Sequence, residues 1–243
     1  MSVDDSYTKV LLQFDGDNGS GDFTDGSGKV WTGVSDAHID TSQKVFCTGS
    51  GCFDGVDDYI WTPNHSDFNL GSGDFTIDCR IRIALLPPGL PSGPKQLACL
   101  IGQGVNDSNF WIFHLQNSVG TIYLGFAQKE TGSWTVDVNA AWTPSYNTWY
   151  HVAVSKASNV YRFFVDGTQV STDQTDTTPI ASIGSNAVVG YDVTHSPFNG
   201  WIDEFRLSTG IARWTANFTP PADPYIPCAV PTTVILPRQM IVL

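Results

Sequence analysis

Between Thr148 and Val170 the chain reads TWYHVAVSKASNVYRFFVDGTQV, two alternating runs joined by a short polar turn at Ala157 to Asn159. Alternation sends successive side chains to opposite faces of a strand, so each run has one face for a core and one for water. The second run closes on Asp166-Gly167, a dipeptide suited to a tight hairpin turn. A second segment, 74–84, repeats the pattern: Phe75, Ile77, Cys79, Ile81 and Ile83 fall on one face. Thr76, Asp78, Arg80 and Arg82 then share the outward face. These runs commit the chain to antiparallel sheet.

Further strands are expected over 7–14, 58–62, 95–101, 109–116, 120–128, 134–139, 149–155, 160–165, 186–189 and 200–207. Gly/Asp/Ser-rich stretches and the Pro-rich loop 86–94 separate them. About a dozen strands with turn signals between them imply a sandwich. The one helical candidate is a turn at 209–214, stopped by Pro220 and Pro221. Hydrophobic residues at 41% of 243 supply a core for one large domain.

The net charge of −12 and the scattering of single Lys and Arg argue against nucleic-acid and anionic-membrane partners. No run approaches the ~20 apolar residues of a membrane span. The opening MSVDDSYTK has no apolar core of a secretory leader. Of the five cysteines, Cys79 falls on a core face and Cys99 reads as another small buried residue. Cys47 and Cys52 flank TGSG and admit a hairpin disulfide that leaves Cys228 alone; free thiols are the other reading.

Three stretches carry a family resemblance: CFDGVDDYIWTPNHSDFNLGSGDFTIDCRIRI (Cys52 to Ile83), the Thr148 to Val170 hairpin, and FNGWIDEFRLSTGIARWTANFTPP (Phe198 to Pro221). Together they resemble the laminin-G-like branch of the concanavalin A-like lectin/glucanase superfamily. The opening YTKVLLQFDGDNGSGDFTDGSGKVW and the closing ARWTANFTPP are similar to the variant found in bacteriophage and prophage structural genes. The resemblance implies an all-β, two-sheet antiparallel jelly-roll sandwich over 1–224, with 225–243 as an extended apolar C-terminal arm. It further implies a non-catalytic virion structural protein, a capsid decoration or other particle-surface protein assembled in the host cytoplasm. The alternative is a carbohydrate-binding adhesin or tail-fibre module that recognises host-surface polysaccharide.

Enzymatic activity is not expected. The superfamily's retaining glucanases use two carboxylates about 5–5.5 Å apart, whereas this chain has two glutamates, Glu130 and Glu204, with no second Glu at the required spacing. Glu204 neighbours Asp203, and alternation would send the two to opposite faces. No G-x-S-x-G, H-E-x-x-H or phosphate-cradling loop is present, and the five histidines lack metal-ligand spacing. For glycan stacking the candidates are Trp134, Trp142 and Tyr191, with Trp61 and Trp111 also near strand ends, whereas Trp149 and Trp201 read as core. By resemblance, Asp203 with Asp15 or Asp17 forms a structural Ca²⁺ site, Ca²⁺ being the one cofactor in view. The competing reading pairs Asp203 or Glu204 with Arg206. The arm residues Val234, Ile235, Leu236, Met240, Ile241, Val242 and Leu243 suit assembly contacts, with other virion proteins and with copies of the same chain as a homo-oligomer such as a trimer. Folding back on its own sandwich is the alternative for this segment.

Overall fold

Alternating runs become long paired strands. In a computed structural model that describes residues 5–85, 97–191 and 195–228, the strands in chain order are β1 (Thr8–Leu12), β2 (Asp22–Thr24), β3 (Val30–Val34), β4 (His38–Asp40), β5 (Ser50–Asp54), β6 (Tyr59–Thr62), β7 (Phe75–Leu85), β8 (Leu97–Asn106) and β9 (Asn109–Ser118). There follow β10 (Thr121–Glu130), β11 (Ser133–Trp142), β12 (Trp149–Ala157), β13 (Val160–Val165), β14 (Thr168–Gln169), β15 (Gln174–Thr175), β16 (Ala187–Val189) and β17 (Asn199–Thr209). Two antiparallel sheets result. One runs β14-β13-β12-β7-β17-β5-β4, with β1 on β17 and β15 on β13; the other runs β11-β10-β9-β8-β16-β6-β3-β2. Neither closes on itself, and the all-β sandwich expected from the sequence is what forms.

The core lies between the sheets and takes the apolar alternate positions of both: Phe75, Ile77, Cys79, Ile81 and Ile83 of β7 meet Trp111, Phe113 and Leu115 of β9 and Leu124 and Phe126 of β10. A smaller apolar cluster of Leu97, Cys99, Phe110, Ile112 and Ala127 lies on the other side of the second sheet. Both hairpin turns around β13 use two consecutive residues with positive φ, Ser158-Asn159 (46° and 70°) and Asp166-Gly167 (47° and 76°). That geometry matches the twist of the flanking strands.

β17 organises the first sheet. It is central, pairing along its whole length with β7, while its other edge is shared: Asn199 to Ile202 pair with β5, and Phe205 to Ser208 with β1. Where one neighbour ends and the other begins, the register with β7 slips between Asp203 and Arg206, and Glu204 takes φ 49°. This is a β-bulge, with Glu204 and Phe205 opposite the single residue Cys79.

After β17 the chain does not turn helical at 209–214 as its sequence suggests; the one helix among the described residues is the short 3₁₀ turn Ser66–Phe68. Instead 210–228 runs as an irregular strap over the outer face of the first sheet. Tertiary hydrogen bonds take the place of helical ones. Thr76 Oγ1 donates to the Ile211 carbonyl and accepts from the Arg213 amide. The Arg213 guanidinium grips the Asp5 carboxylate, Thr8 and Ser208. The Phe218 amide donates to the Gly167 carbonyl, and the Arg80 guanidinium to the Pro221 carbonyl. Gly167 permits this approach, since a Cβ there would lie 1.9 Å from the Phe218 oxygen.

The strap corrects several readings of the sequence. Thr76 and Asp78 do face outward, yet both are fully buried. Trp149 and Trp201 are half-buried on the outer face rather than in the core, Trp201 under the Arg82 guanidinium at 4.7 Å and donating to Asp40. Trp111, by contrast, is fully buried in the core. Cys47 bonds not to Cys52 but to Cys228, 181 residues away, because the strap brings the far end of the chain back to the Val45–Cys47 loop. Cys52 remains a thiol. The loop 86–94 and the arm residues Val234, Ile235, Leu236, Met240, Ile241, Val242 and Leu243 lie outside the described residues; Tyr225 is buried, Ile226 is held by Gln13 and Cys228 by its bond to Cys47.

Closing so long a loop restricts the unfolded chain by about 2–5 kcal/mol in the chain-entropy account. Cys228→Ser is therefore expected to lower the melting temperature under non-reducing conditions and to leave it unchanged when dithiothreitol is present throughout. Equal melting of both proteins without reductant would show that the bond does not form.

Candidate functional site

The strap and β17 enclose the most elaborate polar arrangement of the described residues. At its centre Asp78 of β7 accepts from Arg206 of β17 at 3.0 and 3.2 Å, from the Tyr225 hydroxyl, and lies 3.2 Å from His151 Nε2 of β12. All four residues are buried. Burial alone would raise the Asp78 carboxyl, but Arg206 and His151 outweigh it and hold it well below the usual carboxylate range. Burial pushes the His151 imidazole down despite Asp78. The imidazole edge packs against Trp214 and Phe218, whose rings stack 4.0 Å apart.

Beside this network lie Asp203 and Glu204. Ile202 and Phe205 both belong to the core, so the bulge leaves the two residues between them on the outer face together, where simple alternation would have separated them. Each fastens a different segment. Asp203 Oδ2 accepts from the Val45 and Phe46 amides at 2.8 and 3.1 Å. Glu204 accepts from the Tyr225 amide at 2.7 Å and from Gln13, which also donates to the Ile226 carbonyl. The two segments so held are the ones that Cys47–Cys228 joins. Arg206 pairs with neither acid; its partner is Asp78.

The expected metal ligands, Asp203 with Asp15 or Asp17, each have their own surroundings. Asp15 accepts from the Thr48 amide and hydroxyl, Asp17 is exposed, and Asp203 is engaged as above. Among the described residues the group of three or more potential ligands with atoms close enough to share an ion is Asp54, Asp57 and Asp58. There Asp58 already accepts from the Asp36 and Asp54 amides, which makes it a clamp for its own turn.

The three aromatic candidates are far apart in the fold. Trp142 is half-buried at the core margin, edge-to-face with Tyr150. Trp134 is 38% exposed, but Lys129 Nζ sits 4.6 Å over its ring and Phe110 packs against it. Tyr191 is half-buried against Tyr59. They form no common platform. Sequence reasoning overlooked Trp214, Phe218 and Tyr225, although the run of aromatics and prolines in WTANFTPPADPY (Trp214 to Tyr225) signals a strap with little secondary structure of its own.

Residues 54–212 match the family model described as the concanavalin A-like lectin/glucanases superfamily. No curated protein sequence matches. Among solved structures, domain 4 of AbnA, a GH43 extracellular arabinanase from Geobacillus stearothermophilus, in complex with arabinotriose, is similar at a TM-score of 0.63 and 15% identity, over 84% of this chain and 93% of that one. The binding domain of Paraclostridial Mosquitocidal Protein 1 (TM-score 0.55, 15% identity, 84% of this chain) and that of botulinum neurotoxin DC in complex with SialylT (0.54, 15%, 84%) are also similar. The match spans 48% of each of those two binding-domain chains. At such identities the likeness is one of fold.

Burial pushes the Asp203 carboxyl up to about 7, against the two amides that favour its charge, and Glu204 adds to the rise. Burial likewise takes Glu204 to about 7, against its Tyr225 and Gln13 bonds, with Asp15 and Asp78 contributing. A raised carboxyl stabilises the fold below its unfolded pKa, near 4, and that stability is lost as pH climbs through about 7. His151 acts in the opposite sense below its ordinary 6.5, and Asp78 stays ionised across the window. Asp203→Asn keeps an acceptor for both amides but cannot ionise. The variant is expected to gain ~1 kcal/mol or more relative to the parent between pH 5 and pH 8, measured by urea melts; a difference independent of pH would contradict the buried pair.

Proposed function

The chain belongs to the concanavalin A-like lectin/glucanases superfamily, and we propose that within it this protein is a non-catalytic bacteriophage virion protein, a capsid decoration or other particle-surface protein. The observation that carries the non-catalytic part is the use made of Asp203 and Glu204. They are adjacent carboxyls with raised pKa values, the pattern often found in active sites. Yet one Asp203 oxygen holds two amides, and both Glu204 oxygens accept from Gln13 and Tyr225. Acids committed to fastening chain segments, Asp203 the Val45–Phe46 stretch and Glu204 the strap, are poorly placed for transferring protons to a sugar.

The virion assignment is supported by the two motifs that resemble phage structural genes. They meet in space: Arg213 of ARWTANFTPP grips Asp5 and Thr8 beside the opening strand, and Asp25 of the first motif clamps the Leu11 and Ser27 amides and the Trp31 indole. These contacts give structural reasons for both sequence signatures. The experiment is binding of the purified chain to emptied capsids, expected to be stoichiometric, with and without residues after Cys228. Binding that survives the truncation would reject the proposed assembly role of Val234 to Leu243, and failure to bind any particle would reject the assignment.

A second reading, glycan recognition, is favoured by the fold shared with an arabinanase domain solved with arabinotriose and a toxin binding domain solved with SialylT. The two readings are compatible on one particle surface. A glycan array is expected to return a restricted set of bound saccharides; a blank array would remove this reading and leave the first.

A further inference from the structure

Between the strap and β17 lies a cavity of about 500 Å³, within the ~300–1,000 Å³ typical of ligand pockets. Its lining is mixed: Pro221, Pro224 and the rings of Trp214 and Tyr225 stand beside the polar and charged side chains of Arg206, Arg213, Thr219 and Asp223. Apolar surface with a few convergent polar groups is a composition that small-molecule sites use.

Arg206 is the informative residue. It is 5% exposed, and its Nε and Nη2 are taken by Asp78 and Tyr225. Among the described residues no hydrogen bond reaches Nη1, nor the Trp214 indole N–H, nor the Thr219 hydroxyl. The guanidinium is fixed in place: it lies 3.9 Å over the Tyr225 ring and 5.6 Å from that of Trp214. A rigid guanidinium whose Nη1 keeps both N–H groups unused is a donor suited to a carboxylate oxygen. The charges around it agree. Asp78 matches Arg206 and Asp5 matches Arg213, while Arg80, which holds the Pro221 carbonyl at the cavity wall, has no carboxylate partner among the described residues. In a chain of net charge −12, an unmatched arginine beside a half-used one is a local exception. The acid in the lining, Asp223, is exposed to solvent.

We propose that this cavity is a binding site for a carboxylated sugar residue, its carboxylate meeting Nη1 of Arg206 and its ring the aromatic and proline walls. The proposal rests on the glycan-recognition reading and gives it a place and a chemical class.

Calorimetric titration of the full chain with tetragalacturonate, with galactotetraose as the uncharged counterpart, tests it. The acidic oligosaccharide is expected to bind at least tenfold more tightly, and more weakly as salt rises. Ala222 is an exposed residue of the lining, so Ala222→Trp fills the space without removing a hydrogen bond. This variant should lose the binding while melting at the parent temperature. Equal affinity for both oligosaccharides would overturn the carboxylate assignment yet leave glycan recognition standing. Undiminished binding by Ala222→Trp would move the site elsewhere. A tripeptide with a free C-terminus that binds as tightly as the uronate would make this a peptide site instead. No binding by either oligosaccharide, with a blank glycan array, would remove both readings together.

Discussion

The ion pair of Asp78 and Arg206 is the constraint on which the outer half of this molecule depends. It joins the two central strands of one sheet, on the face that a sandwich ordinarily leaves to water. Here the pair is buried, which is tolerable only because each charge is answered: two guanidinium nitrogens, a phenol and an imidazole converge on one carboxylate. Removing one member of such a pair typically costs about 3–5 kcal/mol, since the other is left buried and uncompensated. The strap supplies the cover that excludes water, and the pair supplies the reason the strap has a single place to lie. Tyr225 serves both, its amide on Glu204 and its hydroxyl on Asp78.

How much of this was legible in the sequence varies with the range of the interactions. Strand alternation and turn chemistry are local, so the β7 pattern, the Asp166-Gly167 turn and the inward position of Cys79 could be read directly. The strap could not, because much of its order comes from partners far along the chain, 100 or more residues away for Thr76 with Ile211 and Arg80 with Pro221. Trp149 and Trp201 were misplaced for a related reason: a tryptophan in a strand suggests core, but Arg82 and Asp40 give the outward Trp201 cover of its own. The bulge at Glu204 defeats an argument from alternation altogether. Its cause is the change of neighbour along β17, which no local pattern records.

Family membership and site chemistry carry different weights. The superfamily model accounts for the sandwich, and the solved structures that share the fold include binding domains. The polar network belongs to this chain's own residues. Its acids hold segments together, its aromatics roof a small cavity, and both act through the same irregular stretch. A sheet face that is usually featureless thereby becomes the chemically richest part of the molecule, while the aromatic residues scattered elsewhere remain isolated.

The bond between Cys47 and Cys228 also determines how the molecule would respond to being pulled. Tension applied to the chain beyond residue 228 passes straight to Cys47, bypassing the strap and β17. The 181-residue separation between the two sulfurs closes a covalent ring that cannot lengthen while the bond survives. Only the opening stretch before Cys47 remains free to be drawn out, and β1 within it is held along the edge of β17. A domain anchored by its tail would yield first at its head.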